Sequence, residues 1–307
     1  MPKFSFYKNR KIFFMISAAF LLTGILVSLF MGIKMDIQFK GGSILKYSYE
    51  GTIDIAQADA AVSSAIKQEV SSQETISFGD NKKYLVINVA GTVALTPDEQ
   101  IALKAALDTS FPDAAIKLES ANLVSPFIGR ELLIKGLWAI LIASVLIVAY
   151  VWFSFRSMSG PSAGVMGLVA LYHDVLVAFF AFVILRIPLN ESLIAVILTI
   201  LGFSINDTIV VYDRIRENER LQKGKMPLAD LVDLSINQSL TRSFNTSMAT
   251  FGAILVAYIF AYIYNIDSIK EFALPMMLGV ISGSYSTICL AGPLWVMWKT
   301  RGGRTGF

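Results

Sequence analysis

Apolar positions in this chain gather into long unbroken runs, and charge is confined mostly to the gaps between them. A helix crossing a bilayer core needs about 20 such residues. Six windows reach that length: residues 12–33, 132–155, 163–185, 193–212, 240–264 and 272–298. The first carries no charge, and the second has Lys135 near one end, where its ammonium can snorkel. The third holds His173 and Asp174, the fourth Asn206 and Asp207, and the fifth begins beside Arg242. The sixth contains Pro275 and Pro293, which packed membrane helices tolerate.

Between the first two windows the period changes. Residues 38–49 read as a strand, 56–70 as an alanine-rich helix, and 75–78 and 83–89 as short strands around the turn cluster Gly79-Asp80-Asn81. Thr96-Pro97-Asp98-Glu99 is a helix start, with threonine as N-cap, proline at the first position and glutamate closing a capping box. That helix is expected to reach residue 110, and 114–123 forms the last strand. The βαββαβ order fits a small ferredoxin-like sandwich. The expected fold class is a polytopic α-helical membrane protein of six transmembrane helices, with one α+β extracytoplasmic domain between helices 1 and 2.

Composition agrees. Of 307 residues, 55% are apolar and 16% charged, and the mean hydropathy is +0.61. Disorder is excluded, and one soluble core could not hide so much apolar surface. The net charge of +3 gives no sign of nucleic acid, and the lone Cys289 excludes an internal disulfide or a CxxC site. Yet the basic residues are unevenly placed. Fourteen of them flank the chain ends, the gap between spans two and three, and the gap between spans four and five; only Arg186 and Lys270 lie in the two short loops opposite. The positive-inside rule therefore predicts a cytoplasmic N-terminus (1–11), an extracytoplasmic domain (34–131), spans two to six over 132–298 with a cytoplasmic amphipathic segment at 213–239, and a cytoplasmic basic tail (299–307). Leu228, Leu231 and Val232 follow helical spacing in that segment and are expected along the membrane surface. The first span is too long for a cleaved signal peptide and reads as an uncleaved anchor.

No phosphate-cradling GxxxxGK[ST] loop is present, so the common ATPase signature is missing. Gly160-Pro161-Ser162-Ala163-Gly164 matches a nucleophile-elbow pattern but precedes a membrane helix; its small residues, like Gly279 and Gly283, suit close helix approach instead. His173 is the single histidine, which excludes a histidine-rich metal site. The chain reads as no enzyme and requires no cofactor. What remains is polarity where it is expensive, and ionisable groups inside spans are functional candidates by default. Ser204, Asp207 and Thr208 share one helical face, with Asn206 adjacent and Gly202 open to a close neighbour. His173-Asp174 is either a conducting pair or an interhelical hydrogen-bond pair. Arg242 either snorkels or faces Asp207. Asp213 with Arg214 and Arg216 reads as a solvated helix end.

The run from Ser204-Ile205-Asn206-Asp207-Thr208 through Tyr212-Asp213-Arg214 to Asn218 resembles the signature of the SecF family of protein-export membrane proteins. Gly41-Gly42 after the first span, Tyr172-His173-Asp174 in the third, and Ile236-Asn237-Gln238-Ser239-Leu240-Thr241-Arg242 entering the fifth agree in order and position. Gln38 departs, since the family more often has aspartate there. The resemblance implies half of a resistance-nodulation-division transporter in the bacterial plasma membrane. It implies pairing with SecD, association with the SecYEG translocon and YajC, contact with translocating preprotein and membrane lipid, and use of the proton-motive force. It places proton conduction at Asp207 and Arg242, with Asn206, Asp174 and His173 beside them, and marks Gly41, Gly42, Asp213 and Arg214 as motif residues. A non-conducting scaffold and half of a small-molecule or lipid exporter stand as the alternatives.

Overall fold

The computed structural model describes residues 4–36, 39, 41–68, 70–76, 82–91, 95–124, 126–155, 160–222, 225–264 and 266–301. Gln38, the Gly79-Asp80-Asn81 turn, Arg156, Lys3, Lys223 and Arg304 lie outside them. The first helix, α1 (Arg10–Met31), is apolar along its length and leads into the α+β unit. That unit runs β1 (Gly42–Tyr49), α2 (Ile55–Ile66), β2 (Val70–Ile76), β3 (Lys83–Ala90), α3 (Pro97–Ser110) and β4 (Lys117–Val124). All neighbouring strands pair antiparallel in the order β2-β3-β1-β4. Gly41 and Gly42 have φ of 80° and 150°, conformations that side chains disfavour, so the glycine pair turns the chain into β1. Alternating Leu45, Tyr47, Tyr49, Leu85, Ile87 and Val89 bury one sheet face against Ala58, Val62, Leu103 and Leu107 of the two helices. The Thr96–Glu99 capping box starts α3, with both reciprocal bonds in place.

Five further spans follow. They are α4 (Pro126–Ser154), α5 (Gly160–Ile184), α6 (Glu191–Gln222), α7 (Leu228–Ile263), and a sixth path in which α8 (Asp267–Ser286) passes through a π turn (Thr287–Ala291) into α9 (Gly292–Arg301). With α1, six helical segments are long and apolar enough to cross a membrane. Gly164 and Gly167 stand close to Val151 and Tyr212, as small residues at a helix crossing should. Ser162 sits in the first turn of α5, where its hydroxyl accepts from the Trp295 indole at 3.2 Å.

The segment expected at 213–239 as a surface-lying amphipathic stretch is differently built. Residues 213–222 continue α6, and 228–239 are the first turns of α7. Leu231 and Val232 are wholly buried, in a cluster with Tyr212, Ile215, Trp295 and Val296. Their apolar stripe is satisfied by helices rather than by lipid. The polar residues around it are satisfied too. Asp233 accepts from the Ser5 hydroxyl at 2.6 Å and the Tyr7 N–H at 2.9 Å, and Asn237 bonds the Phe4 backbone in both directions. Residues 4–7 are thus latched onto α7, with Phe6 inserted into the same cluster.

Candidate functional site

Most of the polar residues that the bundle buries lie on α6, α7 and α8, and one group of them converges on Asp174 of α5. Asp174 is fully buried on α5. Three serine hydroxyls donate to it, each at 2.6 Å: Ser204 of α6 and Ser286 of α8 to Oδ2, and Ser282 of α8 to Oδ1. These distances lie in the short, charge-assisted range. An unpaired carboxylate in such a place would cost several kcal/mol, and three such donors at about 1.5–3 kcal/mol each offset much of that. Small residues make the approach possible. A Cβ on Gly279 would lie 2.0 Å from Ile200 Cδ1, and one on Gly283 would lie 3.2 Å from the Ser204 side chain. The glycine spacing legible in the sequence is what brings α8 onto α6.

One step along α6, Thr208 bonds the Ser204 carbonyl and meets the Thr287 hydroxyl at 2.9 Å, at the start of the π turn. Asp207, 5% exposed, lies on the same buried face as Ser204 and Thr208, as its i, i+3, i+4 spacing predicts. Its Oδ2 is buried and accepts no hydrogen bond from the described residues. Ser243 of α7 lies beside it, and Arg242 supplies a positive charge within Coulombic reach. Arg242 itself is exposed, and among the described residues no ion pair joins it to Asp207.

His173 puts Nδ1 3.2 Å from Asp174 Oδ1, while its Nε2 is buried without a hydrogen bond among the described residues. Its ring lies 6.2 Å from that of Tyr285, whose hydroxyl donates to the Phe13 carbonyl of α1. Asn206 faces outward and is exposed, as is Gly202, which meets no neighbour within 4 Å. Asp213 pairs with Arg216 and Arg214 with Glu217, consistent with a solvated helix end. Arg214 also donates to Gln238 of α7 at 2.7 Å, and Asn218 donates to the same oxygen. Gly41 and Gly42 act at the entrance to the sheet, away from these carboxylates. Among the described residues no group of three or more His, Cys, Asp or Glu is placed to hold a metal ion.

Sequence reasoning missed Ser282, Ser286, Thr287, Ser243 and Asp233. The available signal was the interleaving of Gly279, Ser282, Gly283 and Ser286, a small and polar face on an apolar helix. Chemically, the bundle buries two carboxylates: Asp174 among α5, α6 and α8, saturated with donors, and Asp207 on α6 beside α7, its Oδ2 without a hydrogen bond among the described residues.

The family model described as protein export membrane protein SecD/SecF, C-terminal, matches residues 103–301. The chain is 30% identical over 306 residues to protein translocase subunit SecF of Alicyclobacillus acidocaldarius, covering 98% of this chain and 94% of that protein. It is 31% identical to protein translocase subunit SecDF of Bacillus subtilis over 97% of this chain and 38% of that one. Among solved structures, the crystal structure of SecDF, a translocon-associated membrane protein from Thermus, superposes with a TM-score of 0.77 at 28% identity. That match covers 98% of this chain and 39% of the SecDF chain, so this chain spans well under half the length of the SecDF proteins that it matches. With the family model covering most of the chain and SecF relatives matching end to end, the chain belongs to the SecD/SecF family of protein-export membrane proteins.

Proposed function

We propose that this chain is a SecF-type subunit of the Sec export machinery that pairs with SecD and uses the proton-motive force to promote preprotein translocation. The observation that carries the reading is the burial of two carboxylates within the helices, Asp174 among α5, α6 and α8 and Asp207 on α6 beside Ser243 and Arg242 of α7. A positive charge drawn close to a buried carboxylate favours loss of its proton, and withdrawal favours uptake. Motion of α7, carrying Arg242 and Ser243 toward and away from Asp207, would load and unload that carboxylate. Asp174 and its serines hold the neighbouring helices in register, and His173 and Asn206 lie along the approaches. Each charge crossing is worth about 2.3 kcal/mol per 100 mV, so a few protons per cycle drive a sizeable rearrangement.

In this reading both termini and the short 223–227 connection are cytoplasmic, and the α+β unit, whose strand order is that of a ferredoxin-like sandwich, lies outside. SecD covers the exposed polar face of α6 and α7 that includes Gly202, Asn206 and Arg242. SecYEG, YajC and the emerging preprotein complete the assembly. Replacing Asp207 with Asn tests the proposal. Coupling predicts normal assembly with SecD and loss of the export increment that depends on the proton-motive force. Full-rate, force-dependent export by the assembled variant would leave only the scaffold role.

A further inference from the structure

A cleft of about 490 Å³ opens between one end of the sheet and the chain that follows α1 and α5. On the sheet side, Ser71 of β2 and Asn88 of β3 stand opposite each other in register, and neither side chain makes a hydrogen bond among the described residues. On the bundle side, Met35 forms a parallel bridge with Leu189: Leu189 N–H bonds the Lys34 carbonyl at 2.8 Å, and Asp36 N–H bonds the Leu189 carbonyl at 3.0 Å. Lys34 and Asp36, two residues apart on this extended stretch, share one side of it, and both line the cleft. Lys34 is exposed, and its ammonium has no partner among the described residues. Arg186 sits where the chain leaves α5, with φ of 58° and the Ile187 N–H on the Phe182 carbonyl at 2.9 Å. That left-handed position ordinarily goes to glycine or asparagine, so the strain of an arginine there is offset by what its side chain does. Its Nη1 donates to the Met31 and Gly32 carbonyls at the end of α1, and its Nε and Nη2 bond nothing among the described residues.

The cleft lies at headgroup depth. α1 is apolar as far as Met31, and in its last turn Leu29 and Phe30 are 75% and 85% exposed, an open surface for acyl chains. Lys34 and Arg186 come directly where the apolar runs stop, in the layer that holds lipid phosphates. We propose that the cleft binds a zwitterionic phospholipid headgroup of the phosphatidylethanolamine type. Lys34 and the open Nε and Nη2 donors of Arg186 take the phosphate, a charge-assisted contact to which a guanidinium is well matched. Asp36 lies about 6.6 Å along the extended chain from Lys34. Its carboxylate, with the side-chain oxygens of Asn88 and Ser71 across the cleft, accepts from the ammonium. A lining of one sign would select an anionic lipid; both signs on one stretch select a headgroup that carries both.

The test uses the whole chain assembled with SecD in phosphatidylcholine vesicles. These carry a trace of a phosphatidylethanolamine probe with a photoreactive group at the start of one acyl chain. Adducts are mapped by mass spectrometry, and those on the exposed face of α4, around Trp138, measure ordinary lipid contact. The expected result is adduct at 29–35 that unlabelled phosphatidylethanolamine displaces about ten-fold more effectively than phosphatidylglycerol, while α4 adducts respond equally to both. Lys34→Glu should cut the adduct at 29–35 about ten-fold. Asn88→Trp should cut it by filling the cleft from the sheet, and Asp36→Asn should abolish the preference between the two lipids. Equal displacement by both lipids, a preference that survives Asp36→Asn, or adduct indifferent to Lys34→Glu or to Asn88→Trp overturns the site. Displacement by millimolar inorganic phosphate overturns it in favour of a small-anion site, and absence of adduct at 29–35 in favour of a protein occupant. The readout is lipid binding, so failure of this site leaves the export reading standing.

Discussion

Gly279→Ala is the sharpest perturbation of the contact that builds the site. Its methyl carbon would arrive 2.0 Å from Ile200 Cδ1 and 2.6 Å from Cγ1, with Cβ at 3.7 Å. Ile200 is fully buried and cannot turn away into solvent or lipid. Overpacking of this kind costs about 1–3 kcal/mol. Ile200→Ala alone leaves a cavity and costs about 2–5 kcal/mol. In the double variant the nearest remaining contact is the ordinary 3.7 Å one, and the methyl added at Gly279 fills part of the space that Ile200 vacates. The two changes should therefore compensate, with a favourable coupling of about 1–3 kcal/mol. The assay is the apparent Tm of the four purified proteins in one detergent at one scan rate, where each kcal/mol moves Tm by roughly 2–4 °C. Gly279→Ala should lower Tm by on the order of 5 °C, and the double variant should lie well above the sum of the singles. Simple additivity would refute the reasoning, because it would mean that the α6–α8 approach is not limited at this glycine.

Gly283→Ala presses on Ser204, one of the three donors to Asp174, and should lower proton-dependent export more than it lowers assembly with SecD; equal losses in both assays would contradict this. Asp233→Ala removes the acceptor for Ser5 and Tyr7, so limited trypsin should cut at Lys8 and Arg10 faster than in the parent chain; unchanged cleavage would count against the latch. The Thr96 N–H and hydroxyl hold the Glu99 carboxyl below its ordinary value of 4.5. A depressed carboxylate stabilises above its unfolded value and loses that contribution as pH falls through the folded one. Amide protection at the start of α3, corrected for intrinsic exchange, should accordingly fall between about pH 5 and pH 3 and not between about pH 8 and pH 6.

The six spans were legible because an apolar run of membrane length is stable in few places besides a bilayer, and the α+β order because its turns and capping box are local. The start of α7 was not. Asp230, Asp233, Asn237 and Gln238 make residues 228–239 read as the polar side of a surface-lying segment, and partners more than fifteen residues away, in the N-terminal segment and α6, bond Asp233, Ser235, Asn237 and Gln238 within the bundle. Asp207, Thr208 and Ser204 were visible as one face, because a carboxylate inside a span stands out by its cost. Serine carries little cost in a membrane helix, so Ser282 and Ser286 gave no comparable signal; their meaning appears only when α8 is laid against Asp174, more than a hundred positions earlier. Asn206 shows the opposite limit, since adjacency to Asp207 in sequence places it on another face of the helix.

The π turn at Thr287–Ala291 divides the sixth span into two α-helical registers offset by one residue. Above it, Ser282 and Ser286 face Asp174; below it, Trp295 reaches Ser162. Each residue in an α-helix turns the next by about 100°. Moving the extra residue along the helix would swing each position it passes by about that angle, while both ends keep their contacts. The span thus contains a swivel that can re-aim hydroxyls without tilting its axis, and Thr287, bonded to Thr208 at the swivel's first residue, is where such a turn would first be felt by the carboxylates.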